Sequence, residues 1–200
     1  MTVVLVKGYD RSMKDARSTM VAGAASMIGR RGVGATSVRE LAKHTGAPLG
    51  STYHYFPGGK DQLVAEAVTW VSDRIEVLLG DSASALDAFD AFVESWRRLL
   101  RSTDFHASCP VLAVATEAPD LGESGESVAS QAFARWHGLI TARLEGDGIA
   151  ADDARALAWT IIAGAEGAVV LARSQRSTEP LDAVAARLRS VVADAVDAVA

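Results

Sequence analysis

Apolar residues recur at helical spacing through most of the chain, and no stretch shows the strict alternation of a half-buried strand. Ala16, Met20, Ala24, Met27 and Ile28 share one face of a helix predicted over about 14–30, which Gly32 and Gly34 end. Val38, Leu41, Ala42 and Thr45 lie on one face of a second, short helix. Ser37 and Glu40 stand three apart at its start, the spacing of a capping box. Gly46 at its end can take the left-handed conformation that closes a helix. Pro48 suits the first position of a third helix, where its missing N–H would have had no partner. Pro57, Gly58 and Gly59 stop that helix after about two turns. A fourth helix, over about 60–79, carries Leu63, Ala67, Trp70, Val71, Arg74 and Leu78. Later helices are predicted over about 82–101, 108–118, 124–144, 152–174 and 180–199. Their breaks fall at Gly80, near Phe105, at Pro119-Asp120, at Gly146-Asp147-Gly148 and before Pro180. Residues 1–13 lack periodicity and read as an arm bearing Lys7 and Arg11. The pattern predicts an all-α fold.

Two short helices joined by a glycine turn make a helix-turn-helix. The second of them carries Ser51, Thr52, Tyr53, His54 and Tyr55, all able to hydrogen-bond, beside Gly50, which has no side chain to hold a groove wall away. A core helix would not be so polar. Lys60 sits in the first turn of the next helix, where the dipole disfavours a cation and a docked phosphate would satisfy both the free amides and the misplaced charge. Phe56, large and apolar, reads as core.

Composition supports closely packed helices: 49% of the 200 residues are apolar, but only 6% are aromatic. The net charge of −5 would argue against a nucleic-acid partner if taken alone. Its distribution argues the other way, since residues 1–60 carry nine Lys or Arg against three Asp or Glu, and the rest of the chain holds the acidic excess. A basic head on an acidic body suits a protein that meets phosphates at one end. The single cysteine, Cys109, excludes an internal disulfide and fits a reducing compartment. The apolar run at the N-terminus is too short for a signal peptide, and Ala156–Ala172 is short for a membrane span and interrupted by Glu166. A cytoplasmic location is expected, with no membrane partner. His106 and Cys109 lie three apart, but two further ligands are missing locally, and neither a phosphate loop nor a GxSxG elbow is present. No metal, cofactor or catalytic residue is expected.

The run from about Lys14 to Val68 resembles the N-terminal DNA-binding domain of TetR-family transcriptional regulators. The resemblance rests on Ala24-Ala25, Gly32, Thr36-Ser37-Val38-Arg39-Glu40-Leu41-Ala42, Gly46, Tyr53-His54-Tyr55-Phe56, Lys60 and Leu63. Ala47 stands where the family usually has valine, Thr52 where it has leucine or isoleucine, and Pro48-Leu49 replaces more polar residues. The segment Ser108-Cys109-Pro110-Val111, with the Pro57–Lys60 turn, is similar to the LmrA/YxaF-type subgroup. The resemblance implies a DNA-binding domain over 1–60, with its three-helix helix-turn-helix and arm. It also implies a helical ligand-binding and dimerisation domain over 61–200. The implied function is a ligand-responsive regulator, most often a repressor, that binds a palindromic operator as a homodimer. A helical small-molecule-binding or interaction protein without specific DNA binding is the alternative.

On this reading Thr36, Ser37, Arg39, Pro48, Leu49, Gly50, Ser51, Thr52, Tyr53, His54, Tyr55 and Lys60 form the DNA interface. Ser37, Tyr53, Tyr55 and Lys60 would hold phosphates, while Arg39, Leu49, Ser51 and His54 would reach base edges. The effector, expected to be a small hydrophobic or aromatic molecule, would meet residues drawn from Trp70, Arg74, Phe92, Trp96, Phe105, Cys109, Phe133, Trp136, His137 and Trp159. Small residues around Ala163 and Gly167 with Val170, and the apolar face of the last helix at Leu188, Val192 and Val196, would form a four-helix dimer contact.

Overall fold

The computed structural model describes residues 16–80, 82–117 and 122–199. Among them lie nine helices and no strand: α1 (Ala16–Arg31), α2 (Val38–Thr45), α3 (Leu49–Tyr55), α4 (Gly59–Gly80), α5 (Ala85–Ser102), α6 (Pro110–Glu117), α7 (Gly122–Gly146), α8 (Ala151–Gln175) and α9 (Glu179–Asp197). Each helix predicted from periodicity is present, with ends shifted by a few residues. The arm with Lys7 and Arg11, the first turn expected from Lys14, and the Pro119-Asp120 break lie outside the described residues.

The chain packs as two compact units. One takes α1–α3, α4 through Asp73, α6, and α7 through Phe133. Its core gathers Ala24, Ile28, Leu41, Phe56, Leu63 and Val68. The other takes the end of α4, α5, α7 from Ala134, α8 and α9, around Phe89, Phe92, Leu100, Ile161, Val169 and Leu181. Residues 61–73 of α4 thus group with α1–α3, and α6 packs on α1, where Gly29 lets the chain ahead of α6 approach closely. The Ser108 N–H donates to the Gly29 carbonyl at 2.9 Å, and the Ser108 hydroxyl donates to the same oxygen at 3.1 Å.

In the second unit α8 and α9 form the closest-packed pair, and α5 lies against both. Leu188 presses on Gly164, where an added Cβ would come within 2.9 Å of its Cδ1. Arg97 Nη2 on α5 reaches Asp182 of α9 at 2.7 Å, and Arg189 Nε on α9 reaches Asp90 of α5 at 2.9 Å. The break expected near Phe105 is made by two successive left-handed residues, Asp104 and Phe105, at φ 51° and 57°. Although α8 is long and apolar enough to cross a membrane by length and composition, its Leu157, Ile161, Ala165, Val169 and Ala172 are buried in the protein. That is the pattern of a core helix.

A Cβ at Gly29 would lie 2.6 Å from the Ser108 carbonyl oxygen, a backbone atom that cannot rotate away. Gly29→Ala is therefore expected to lower stability by about 1–2 kcal/mol, overpacking outweighing the helix propensity gained. A urea unfolding curve measures this, and an unchanged or raised midpoint would contradict the close approach.

Candidate nucleic-acid interface and effector site

The Ser37 cap has the extended backbone of an N-cap, at φ −149° and ψ 162°, and its hydroxyl oxygen accepts from the Glu40 N–H at 3.1 Å. The reciprocal half of the expected capping box is not made. Glu40 turns instead to Lys43 Nζ at 2.7 Å, because a full cation is a stronger partner than an exposed amide. Gly46 adopts φ 71° and its N–H donates to Ala42, which ends α2 in the left-handed cap predicted for it. Pro48 stands one position outside α3 as its N-cap.

The seven residues of α3 divide cleanly by exposure. Leu49, Gly50, Ser51, Tyr53 and His54 are exposed and Tyr55 half-buried, with Tyr53 at 53% and Leu49 at 44%. Arg39 on α2 and Pro48 are exposed as well, and Lys60 is half-buried in the first turn of α4. These accessible residues are the candidate reading surface. Two of the expected DNA contacts are not on it. Thr52 is fully buried and its hydroxyl donates to the Pro48 carbonyl at 3.0 Å, while Thr36, 1% exposed, donates to the Gly32 carbonyl at 2.9 Å. Both are polar side chains that satisfy themselves on local backbone, a use of threonine that sequence spacing does not distinguish from a groove contact.

Arg30, Arg31, Arg39 and Lys43 act on the titrating groups of α2. The pKa of His44 is pushed below its ordinary value, first by burial and then by the charges of Arg31 and Arg30. The Glu40 carboxyl is held below its usual range, first by the hydrogen bond and then by the charge of Lys43. Arg31 and Arg39 add to the effect on Glu40. Such cations attract phosphate.

Four residues that the sequence did not single out fix the end of α3 and the turn between α1 and α2. Arg17 Nη2 on α1 meets Glu66 Oε1 at 2.5 Å, and the Gln62 amide donates to the same Glu66 oxygen at 2.8 Å and to the Tyr55 carbonyl at 3.3 Å. The Gln62 carbonyl in turn accepts from the Gly58 N–H at 2.9 Å. The end of α3 is thus tied to α4 and α1. Glu117, the last residue of α6, grips the turn between α1 and α2. Its two carboxylate oxygens accept from the Val33 N–H at 3.0 Å and the Gly34 N–H at 2.8 Å. The acid lies 83 residues from the amide it binds, so no local pattern marks it.

In the other unit a cavity of about 20 Å³ opens between α5, α7, α8 and the ends of α4 and α9. Phe89, Phe92, Ile140, Leu144, Ile161 and Val192 line it, and Arg143 is the one charged residue at its wall. Of the ten expected effector residues, Phe92 lines this cavity. Trp96 is buried one turn further along α5, its ring edge-on to Phe92 at 6.2 Å. Trp136 is buried, Phe105 half-buried in its left-handed turn, and Trp70 and Arg74 half-buried on α4. Cys109 and Phe133 belong to the first unit, with Cys109 Sγ accepting from the Leu112 N–H at the start of α6. His137 and Trp159 stack on each other at 4.2 Å on the outside of α7 and α8, with Trp159 half exposed.

The residues expected at a dimer contact also divide. Ala163, Gly167 and Val170 are exposed and continue, with Trp159 and Leu171, along one outward face of α8. Leu188 and Val192 face inward instead, because α9 uses its strongest apolar stripe against α8 and α5 of the same chain, and Val196 is half-buried. Val191, 44% exposed, is the outward apolar residue on α9.

Comparisons with known proteins agree with this geometry. Residues 21–67 match the bacterial regulatory proteins of the tetR family, and residues 85–187 match the transcriptional regulator LmrA/YxaF-like C-terminal domain. An HTH-type transcriptional regulator of Mycobacterium tuberculosis strain H37Rv is 39% identical over 185 residues, spanning 90% of this chain and 95% of that one. The chain belongs to the TetR family of transcriptional regulators, with an LmrA/YxaF-like C-terminal domain. It is similar to the regulator YxaF of Bacillus subtilis, 28% identical over 90% of this chain and 97% of that one. A TetR regulator of Legionella pneumophila shares the fold, with a TM-score of 0.81 at 22% identity over 90% of this chain and 98% of that one. The family is one of DNA-binding regulators, not of enzymes.

Glu117→Ala removes both acceptors from the α1–α2 turn of this TetR regulator. It is expected to cost about 1.5–3 kcal/mol, the range for a hydrogen bond to a charged group. Glu117→Gln keeps one acceptor but sets an NH2 against the second amide, and should fall between the two. Thermal unfolding of the three proteins checks the order, and a stable Ala variant would show that the grip contributes nothing.

Proposed function

We propose that this chain is a ligand-responsive repressor, located in the cytoplasm, that binds a palindromic operator as a homodimer and is released by a small hydrophobic molecule. The observation that carries the reading is the outward face of α3, where Leu49, Gly50, Ser51, Tyr53 and His54 are exposed beside Arg39, one of the cations that act on α2. A helix that presents hydrogen-bonding side chains and a bare glycine, while burying Thr52 behind them, is built to enter a major groove. Tyr53, Tyr55, Ser37 and Lys60 would hold phosphates on either side. Arg39 would pair with a guanine, and Leu49 would contact a thymine methyl.

Two-fold symmetry in the operator calls for two heads, and the exposed apolar face of α8 and α9 supports a second copy as the partner. Trp159, Val170, Leu171 and Val191 are each about half exposed on that face, and Ala163 and Gly167 lie between them with no bulk to hold another helix off. Release would follow if the effector prefers the arrangement that cannot bind DNA, since a ligand shifts an equilibrium only by its difference in affinity for the two states.

Fluorescence anisotropy with DNA flanking the gene, titrated with salt against unrelated competitor DNA, tests the reading as a whole. Tight, competitor-resistant binding at two subunits per site is expected. If neither that DNA nor a selection from random DNA yields a preferred site, the reading fails and a helical binding protein without operator specificity takes its place. Lys60→Ala should weaken binding to all sequences and reduce the slope of log affinity against log salt by about one unit. Arg39→Ala should instead relax preference at particular base pairs, by about 1–3 kcal/mol. Equal behaviour of the two across operator variants would overturn this division of roles.

Leu171→Asp places a charge on the outward face of α8 without touching the buried side. The variant is expected to sediment as a folded monomer and to lose at least about tenfold in operator affinity. A variant that remains dimeric would move the interface elsewhere.

A further inference from the structure

The cavity in the second unit is walled by hydrocarbon except at one point. Arg143, on α7, is half-buried there, and its Nη2 donates to the carbonyls of Leu79 at 2.9 Å and Gly80 at 3.1 Å. These are the last two residues of α4, whose terminal carbonyls have no partner within the helix. A guanidinium is a favourable cap at that end of the dipole. It is nevertheless a cation without an anion: among the described residues no carboxylate pairs with Arg143. Asp147, just past the end of α7, is committed to the Ala85 N–H at 2.7 Å, at the start of α5.

We propose that the effector is an amphipathic organic anion, an apolar body ending in one carboxylate, and that its head group takes Arg143 away from the end of α4. The inference rests on the ligand-responsive reading above and names the chemistry of the ligand. The apolar body enters beside Phe89, Phe92 and Ile161 in a state where these side chains have moved apart, since the cavity of about 20 Å³ has no room for it, and the head stays at the half-exposed edge where Arg143 stands. A carboxylate accepts two parallel hydrogen bonds from a guanidinium, with full charge on both sides, and so competes well against two neutral carbonyls that share a single nitrogen. Gly80 is exposed, so water can take over its carbonyl, and loss of the bond to the carbonyl of the buried Leu79 is the cost that the charged head group has to outweigh. A neutral ligand of the same shape leaves the existing cap in place, and an organic cation is repelled. Ligand chemistry is thereby coupled to α4, the continuous helix from Gly59 to Gly80 that carries Lys60 in its first turn.

The test uses the full-length protein and sets of compounds that share a body and differ in the head. The compounds are the straight-chain acids from hexanoate to tetradecanoate and a set of arylalkanoic acids, each with its alcohol and its primary amine. Binding is read by tryptophan fluorescence, and operator release by anisotropy. In the native protein at least one acid should bind about tenfold or more tightly than its alcohol and its amine. Arg143→Gln should abolish that preference while leaving the alcohol's affinity within about twofold, and Arg143→Lys should retain part of it. Circular dichroism and the unfolding midpoint establish that both variants fold. If Arg143→Gln does not fold, loss of part of the preference in Arg143→Lys carries the test. The proposal is overturned if acids and alcohols bind alike, if the preference survives Arg143→Gln, or if no acid binds below about 1 mM. Acids that bind through Arg143 without changing operator affinity would leave the site standing and sink the ligand-responsive reading. Operator release by neutral compounds alone would keep that reading and sink the anionic effector.

Discussion

A helix of seven residues cannot hold itself in water, because the first turn fixes several dihedral angles for a single hydrogen bond and isolated helices become marginal below about 12–15 residues. Helix α3 has seven, and on the function proposed above it must leave most of its surface free for DNA. Its conformation therefore has to be supplied from behind. Thr52 and Phe56 are the only fully buried anchors at α3 and its C-cap, and they lie one turn apart on the inner face. Everything else that fixes α3 acts at its ends. Gly46 sets the turn before it, and Gln62 holds the Tyr55 carbonyl after it. Gln62 is itself held by Glu66, and Glu66 by Arg17. A chain of hydrogen bonds on long side chains would be loose if it ran through water, but these groups are partly buried, where each bond strengthens its neighbours.

The same constraint explains the place of α6. The turn between α1 and α2 has two amide donors, at Val33 and Gly34, that are met by a side chain from another helix. If they were left to water the turn could rearrange, and α2 would swing with it, carrying Arg39. The Glu117 carboxylate meets both donors at once. Because α6 is fixed to α1 at its other end through the close contact of Ser108 with Gly29, the carboxylate is delivered by an element with little freedom of its own. The division of the chain into its two units follows from these contacts and not from the order of residues.

What was legible in the sequence was local. Ser37 as cap, Gly46 as left-handed turn, the proline and glycines after Phe56, and the boundaries of the later helices all follow from the conformational preferences of single residues or from spacing within one helix. The family was legible for the same reason, since its marks are concentrated in one short stretch. What sequence pattern missed depends on which faces meet. Thr36 and Thr52 are polar yet buried, since each turns its hydroxyl onto a carbonyl four residues back. Trp159 is aromatic yet half exposed, and Leu188 and Val192 face into their own subunit. On a helix with apolar residues on more than one side, as α8 and α9 have, composition does not say which side the chain uses for itself. Glu117 and Arg143 were illegible because their partners are backbone atoms far away in sequence, and a backbone amide or carbonyl has no letter to read.

The size of the body cavity bears on how a signal could arise. About 20 Å³ is room for a single water at most, whereas pockets that enclose small organic ligands run to several hundred Å³. The packing around this cavity leaves no room for an effector, and a ligand bound there would require Phe89, Phe92 and their neighbours to move apart. Opening a close-packed core sacrifices contacts on every wall, and the ligand has to replace them with its own apolar surface, at about 25 cal/mol for each Å² it removes from water. That cost weakens apparent affinity by the fraction of molecules that are open. It would also make the proposed response sharp in its selectivity. A site that is closed in one state and formed in the other gives the ligand almost no affinity for the first, so nearly all of its binding energy goes into shifting the balance between them.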